Sequence, residues 1–525
     1  MALNIERDEL HRTLWRIAND LRGSVDGWDF KQYVLGFMFY RFISENLTDY
    51  LDAELAEGEK SYAQMSDVEI AESQDAIVDT VREKGFFILP EDLFENVRRR
   101  ANADNSNLNE ELQAIFQRIE GSARGVLSDK HNKIRGLFDE LDVNSNKLGS
   151  SVSKRNNLLL KLLNEVGNFK IGRYADSHND TFGDAYEYLM GMYASSAGKS
   201  GGEYYTPQSV SELLARIAVM GKKQVNKVYD PACGSGSLLL KFAKVLGKEN
   251  VREGFFGQEI NLTTRNLAVI NMFLHNLNYA SFDIAHGDTL IEPMHGHIEP
   301  FEAIVSNPPY SVKWEGDANP LLINDERFAP AGVLAPKSKA DLAFTMHILH
   351  WLAENGTAAI VEFPGVLYRG GAEGKIRKYL IEGNYVDAVI QLPPDLFFGT
   401  TIGTCIIVLK KAKPDNKTLF IDASAKFERS GNKNVLTPDY RGEILDALAK
   451  REDVDYFAKL VDNSTIAEND YNLSVSSYVE VEDTREVIDI VELNAEIEQI
   501  VARQSELRTQ IDAIVAELEQ GGSES

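Results

Sequence analysis

The sequence predicts an α/β protein built on a doubly wound domain, with a helical domain before it and a coiled-coil-like helix after it. Three observations predict this. Short apolar runs alternate with helical patterns from Gly202 to about Lys413, apolar residues recur at three- and four-residue steps up to about Leu163, and a heptad-spaced apolar seam closes the chain.

The helical front begins with Leu10, Leu14, Ile17, Ala18 and Leu21, and Gly23-Ser24-Val25-Asp26-Gly27 breaks that run. A second run follows with Tyr33, Val34, Phe37, Met38, Phe42 and Ile43, and residues 101–109 read as a polar loop between helices. These apolar stripes are core, and no chemistry is visible in them. After Val166 the composition turns toward Gly, Ser and Tyr. Gly198-Lys199-Ser200 resembles the end of a phosphate loop, but the glycine such a loop needs five residues earlier is replaced by Tyr193, which excludes it.

In the central part the runs at residues 227–230, 254–259, 303–306, 357–363, 385–391 and 404–409 predict strands. Residues 237–246, 262–274, 342–352 and 373–381 predict helices between them, as in a parallel sheet with crossover connections whose ligands sit beyond the carboxyl ends of the strands. Beyond Lys413 the pattern weakens. Then Ile490, Leu493, Ile497, Ile500, Gln504, Leu507, Ile511, Ile514 and Leu518 step by three and four, an a/d seam with one polar position. It predicts a helix that pairs with another chain, the alternative being a helix folded back on its own domain. The boundaries expected are 1–165 for the helical domain, 166–413 for the catalytic domain, 414–485 for a mixed region and 486–520 for the heptad helix.

A length of 525 residues leaves room for roughly two to four domains. The net charge of -26 argues against a chain that grips nucleic acid alone, since phosphate contacts call for a basic surface; acidity can also serve solubility only. Cys233 and Cys405 make no disulfide framework and lack metal-ligand spacing, so no metal is expected. The charged opening residues and the lack of a long apolar run predict a cytoplasmic protein with no membrane partner.

Two stretches carry chemistry. Val228-Tyr229-Asp230-Pro231-Ala232-Cys233-Gly234-Ser235-Gly236-Ser237-Leu238 is a strand, a small-residue turn and a helix start, where Gly234 and Gly236 let the backbone approach a ligand and free N–H groups face an anionic end. Leu239 stands where a dinucleotide fingerprint needs a third small residue, which disfavours a pyrophosphate. Glu259 ends the next strand and can accept from both hydroxyls of a ribose, so the pair suits a nucleoside. Asp288, in His286-Gly287-Asp288-Thr289, is expected to end the next strand, placed to face an adenine amine or to serve as a turn aspartate after glycine.

The second stretch is Asn307-Pro308-Pro309-Tyr310 at the mouth of a buried strand. Two consecutive prolines give up two donors and fix φ twice, so the turn is rigid. The Asn307 side-chain oxygen and the Pro308 carbonyl form an acceptor pair for the two N–H groups of an exocyclic amine, whose lone pair is otherwise delocalised into its ring. Tyr310 offers a ring face to a base that has left the duplex stack.

The order Tyr205-Thr206-Pro207, then Asp230 to Ser237, then Asn307 to Tyr310 resembles the amino-methyltransferases that use S-adenosylmethionine to methylate adenine in DNA. The resemblance implies that Glu203, Tyr204, Tyr205, Thr206, Pro207 and Gln208 close over the methionine end of that cofactor. It also implies that Asp230, Ala232, Gly234, Ser235, Gly236 and Ser237 hold the methionine moiety, that Glu259 holds the ribose, and that Asn307, Pro308 and Tyr310 are catalytic. With Gly23 to Phe30, Gly201 to Pro207 and Leu392-Pro393-Pro394-Asp395-Leu396-Phe397-Phe398, the likeness extends to the modification subunit of type I restriction-modification systems. It implies a specificity subunit that reads DNA, a second copy of the modification subunit, a motor and nuclease subunit, and duplex DNA with a flipped adenine.

Two other functions share these residues. Methyltransferases acting on protein glutamine also carry Asn-Pro-Pro-Tyr, because an amide nitrogen poses the same problem, and a cofactor-binding assembly subunit could keep the fold without catalysis. Between Ser311 and Asp341 lies a loop-like insertion holding Lys313, Trp314, Lys337 and Lys339, expected near the DNA backbone or else a solvated surface loop.

Overall fold

The computed structural model describes residues 27–56, 58–168, 181–196, 206–398, 400–431, 433–481 and 490–521. The first apolar run up to Leu21, the Gly198-Lys199-Ser200 stretch and Glu203, Tyr204 and Tyr205 lie outside them. The chain divides into two compact units, Met1–Glu480 and Val481–Ser525.

The front is helical: α1 (Gly27–Asp52), α2 (Asp67–Ala71), α3 (Gln74–Lys84), α4 (Phe94–Ala103), α5 (Leu108–Gly121), α6 (Val152–Gly167) and α7 (Thr181–Ser196). α1 is apolar around most of its described circumference, with Phe37, Met38, Phe39, Tyr40 and Ile43 all fully buried, so it is the central helix of this layer. The polar stretch expected over 101–109 is shorter, because α4 runs to Ala103 and α5 begins at Leu108, leaving four residues between them. Asn109 is polar yet buried, its N–H donated to Asn156 Oδ1, so polarity there marks packing between helices and not a loop.

The helices α8 (Gln208–Ala218), α9 (Ser237–Leu246), α10 (Leu262–Leu274), α11 (Asp341–Trp351), α12 (Ala372–Glu382), α13 (Pro438–Lys450) and α14 (Asn463–Glu468) accompany a nine-stranded sheet. Its strands are β1 (Val225–Asp230), β2 (Val251–Glu259), β3 (Phe282–His286), β4 (Phe301–Ser306), β5 (Leu352–Glu362), β6 (Val386–Gln391), β7 (Cys405–Lys410), β8 (Lys417–Asp422) and β11 (Ala458–Asp462). β9 (Glu428–Ser430) and β10 (Lys433–Val435) form a separate hairpin. The sheet order is β11-β8-β6-β7-β5-β4-β1-β2-β3.

Strands β1 to β5 pair in parallel, but β7 is antiparallel to both β5 and β6. The all-parallel reading is corrected there. No helix occurs among the described residues of 392–404, so the chain returns beside β6 without the crossover that a parallel neighbour requires. The sheet also continues past Lys413, through β8 and the antiparallel edge strand β11.

Alternate residues of the central strands bury on opposite faces. Val228, Ala303 and Val305 join a core shared with the helical front, while Tyr229 and Ile304 join the core of the other face. Phe273 of α10 links front and sheet, its ring centroid 5.8 Å from Phe39 and 6.2 Å from Phe86. Neighbouring β1 and β4 leave the sheet's middle in opposite winding directions, which opens a crevice at their carboxyl ends. The second unit contains α15 (Ile490–Gly521), on which the seam residues Ile490, Leu493, Ile497, Ile500, Leu507, Ile511, Ile514 and Leu518 are all exposed.

Candidate functional site

The crevice collects most of the residues singled out in the sequence. Asp230 is the last residue of β1, Glu259 the last of β2, and Asn307 follows the last residue of β4. All three strands run in the same direction, so the three side chains reach one edge of the sheet.

Between β1 and α9 the chain turns on Gly234 and Gly236, at φ 54° and 77°. Both lie in the left-handed region, where glycine has no Cβ penalty. A Cβ on Gly236 would also stand 2.8 Å from Met272 Cε, the movable end of a flexible side chain, so the left-handed backbone is what calls for glycine there. The backbone of this turn is tied to the next strand, since Cys233 N donates to Gln258 O at 3.0 Å and Gly234 N to Glu259 Oε2 at 3.1 Å. Ser235 and Ser237 hydroxyls lie 3.0 Å apart, and Asn271 Nδ2 donates to Ser235 O at 2.9 Å. Leu239 is fully buried in the core, in keeping with its role as packing and not as a third turn residue.

Asp230 is the most unusual group. It is fully buried, and its Oδ1 accepts from Ala232 N at 3.0 Å and from Ser306 Oγ at 2.9 Å. Its Oδ2 has no hydrogen-bond partner among the described residues. Burial pushes the carboxyl up to about 7; the hydrogen bonds from Ala232 and Ser306 oppose this, and the neighbouring Glu259 charge adds to it. A buried carboxylate oxygen without a donor is costly unless something supplies one, so this edge calls for a donor or a cation from outside the chain. Glu259 is also raised by burial, with its backbone donors opposing; Oε1 accepts from Asn261 N at 2.9 Å. A carboxylate has about four lone-pair positions, so both oxygens keep capacity for further hydroxyl donors.

Asp288 stands two residues beyond β3, not at its end, and its Oδ1 accepts from Leu290 N at 2.9 Å. The turn role expected of an aspartate after glycine is therefore present. Gly287, at φ 150°, donates its N–H to Glu259 O at 3.0 Å, which draws this turn to the end of β2.

At the other side of the crevice Asn307 has both ends of its amide engaged. Nδ2 donates to Thr206 Oγ1 at 3.0 Å, and Oδ1 accepts from the Tyr310 hydroxyl at 2.7 Å. The Tyr310 phenol is pushed well up by burial, then by the charges of Glu362, Cys405 and Asp341, so it stays an O–H donor. A carboxamide oxygen has two lone pairs, so Asn307 Oδ1 can accept a second N–H without releasing Tyr310. The Tyr310 ring is half-buried and lies 6.0 Å from Phe363, tilted by 43°. Thr206 and Pro207 sit just ahead of α8, with Gln208 its first residue, so the described part of the Glu203 to Gln208 segment reaches the Asn-Pro-Pro-Tyr turn directly.

The sequence reading passed over several participants. Ser306, adjacent to Asn307, bonds Asp230 and links the two turns; a hydroxyl closing the apolar run Ala303 to Val305 was its only signal. Thr289 donates to Pro231 O at 2.6 Å. Ile260, apolar and 64% exposed immediately after Glu259, has no core role that explains it. The insertion between Ser311 and Asp341 needs a correction. Trp314 is buried, donates its ring N–H to Pro336 O at 3.1 Å and packs edge-on to Phe328, so with Leu322 and Leu334 it joins the core on the Tyr229 face of the sheet and is not available to DNA. Lys313 and Lys337 are exposed and Lys339 is half-buried.

Comparison with known proteins agrees along nearly the whole chain. A family model for N-6 DNA Methylase matches residues 177–487, and one for the HsdM N-terminal domain matches residues 10–166. The methylase subunit of the type I restriction enzyme MpnII from Mycoplasma pneumoniae is 46% identical over 527 aligned residues, covering 98% of this chain and 97% of that protein. The methylase subunit of the enzyme MjaVII from Methanocaldococcus jannaschii is 28% identical, covering 98% and 85%. The crystal structure of a type I restriction-modification methyltransferase subunit from Streptococcus thermophilus superposes with a TM-score of 0.81 at 36% identity, over 90% of this chain and 100% of that one.

Proposed function

This chain belongs to the N-6 DNA methylase family as a methylase subunit of the type I restriction-enzyme kind, and from that premise we propose that it transfers a methyl group from S-adenosylmethionine to the exocyclic N6 amine of adenine in duplex DNA. The observation that carries this reading is the neighbouring of two turns at one sheet edge: the glycine turn after Asp230 and the Asn307 turn, joined by the Ser306 to Asp230 hydrogen bond.

The residues present fit S-adenosylmethionine. The unpartnered Asp230 Oδ2 suits an ammonium, the left-handed glycines allow close approach, and Glu259 retains capacity for ribose hydroxyls. When bound, that group supplies an electrophilic methyl on a sulfonium. Asp230, Ala232, Gly234, Ser235, Gly236 and Ser237 would hold its methionine end, with Glu203 to Gln208 closing over it. Glu259 would take the ribose, and Asp288 the adenine amine.

Asn307 Oδ1 and the Pro308 carbonyl would accept the two N–H groups of the target amine and so favour a pyramidal nitrogen with its lone pair free. Thr206 and Tyr310 hold the amide that does this, and Tyr310 presents its ring to the flipped base. As partners we propose a specificity subunit, a second copy of this subunit and a motor and nuclease subunit, acting in the cytoplasm. Within that assembly residues 1–165, 166–413, 414–485 and 486–520 would act as helical front, catalytic domain, mixed region and partner helix. No described helix is long and apolar enough to cross a membrane.

The test incubates the chain and its specificity partner with methyl-labelled S-adenosylmethionine and duplex DNA. Label released as N6-methyl-2′-deoxyadenosine after nuclease digestion is expected, and Asn307→Ala should abolish it while leaving cofactor affinity within about threefold. Label found only in protein would instead favour a glutamine methyltransferase.

A further inference from the structure

The turn that presents Asn307 and Tyr310 ends at Ser311, and Ser311 is held in an uncommon state. Its φ is 52°, in the left-handed region that side chains with a Cβ seldom adopt. Its N–H is donated at 3.1 Å to Oδ1 of Asp341, thirty residues further along the chain. Asp341 is 1% exposed and is the first residue of α11, where the free N–H groups of the helix start favour a carboxylate. The intervening insertion is closed at its base, with Ala340 N donating to Val312 O at 3.0 Å and Trp314 N to Lys337 O at 3.1 Å. These two bonds bring Asp341 opposite Ser311.

Resting on the function proposed above, we propose that Asp341 is a positioning residue for methyl transfer: its carboxylate holds Ser311 left-handed and thereby fixes the Tyr310 ring and hydroxyl, which in turn orient the Asn307 amide. A hydrogen bond to a carboxylate is stronger than a neutral one and offsets the backbone strain at Ser311. Without it the chain at Ser311 relaxes toward negative φ, and Tyr310, the preceding residue, moves with it. Displacement of a substrate-positioning group by about 1 Å can lower a rate by about two orders of magnitude. Among the described residues Asp341 bonds Ser311 and makes no hydrogen bond to the glycine turn after Asp230 or to Glu259, so cofactor affinity should not follow.

The experiment uses the full chain with its specificity partner and measures single-turnover methylation of duplex DNA at saturating S-adenosylmethionine, with cofactor affinity by calorimetry. Asp341→Ala should slow transfer by about 10- to 100-fold with cofactor Kd within about threefold of wild type. Asp341→Asn, which keeps an acceptor oxygen in reach of Ser311, should recover the rate to within about fivefold. Should Asp341→Ala melt out, Asp341→Ser takes its place, because its shorter side chain falls short of the Ser311 N–H. An Asn variant as slow as the Ala or Ser variant, or an Ala variant as fast as wild type, overturns the inference. Wild-type protein that leaves DNA unlabelled would overturn the proposed function itself, so the two failures are told apart.

Discussion

On the proposed function, Asp230 couples stability to cofactor binding through one buried carboxyl. Its folded value of about 7 lies above the ordinary aspartate value, so the folded state holds its proton more tightly than the unfolded chain does. The stabilisation this gives is complete below about pH 4 and is lost as pH rises through about 7. Asp230→Asn, neutral throughout, should therefore be more stable than the ligand-free wild type at pH 8, by up to about 4 kcal/mol, with the difference vanishing near pH 4; denaturant melts at the two pH values check it. Binding should move oppositely. A cationic cofactor end favours the ionised carboxyl, so wild-type affinity for S-adenosylmethionine should weaken as pH falls below about 7, and in Asp230→Asn this dependence should disappear along with at least tenfold of affinity at pH 8, read by calorimetry. A wild-type affinity that is flat between pH 6 and 8 would remove Asp230 from the proposed site.

At the scale of elements the site depends on sheet order more than on loop content. β1 and β4 are adjacent although two strands separate them in the chain, and this adjacency brings Ser306 to Asp230. The antiparallel β7 closes the far side: it pairs with the end of β5 through Cys405 and Glu362, one residue before the Phe363 that supports the Tyr310 ring. The helix α15 makes a different demand. Its heptad seam is exposed along its whole described length, and an exposed apolar stripe of this kind is what a partner helix covers. Deletion of residues 490–525 should weaken association with the specificity partner by at least tenfold in analytical ultracentrifugation, while the thermal midpoint of the remaining chain shifts by under about 2 °C. A truncated chain that assembles normally would show that the seam is not the contact.

The whole molecule carries a net charge of -26, and electrostatics at that scale argues against a chain that grips DNA by itself. The isolated chain should bind duplex DNA only weakly, with Kd above about 10 μM at 0.15 M salt. Addition of a basic specificity partner should bring tight binding that falls steeply with salt, as counterion release requires. Fluorescence anisotropy over a salt series tests this, and sequence-specific nanomolar binding by the chain alone would contradict it.

Much of this was legible in one dimension because it depends on local chemistry. The strand, glycine turn and helix from Val228 to Leu246, the paired prolines after Asn307 and the seam of α15 are each written in consecutive residues, where backbone freedom, proline geometry and side-chain period act directly. What the tertiary structure decided depends on contacts between distant residues. Sequence periodicity carries no sign of strand direction, so β7 became antiparallel only through the missing crossover, and the short strands β8 and β11 found their place only as pairing partners at one end of the sheet. Trp314 went into the core that the insertion shares with one face of the sheet, because an apolar ring near a closed loop base is better buried than presented to solvent. The links from Thr206 to Asn307 and from Asp341 to Ser311 span 101 and 30 residues. The sequence by itself determined which groups could hold a nucleoside and an amine; only folding determined which distant hydroxyls and carboxylates hold those groups still, because a hydrogen bond is set by position in space and leaves no period in the chain.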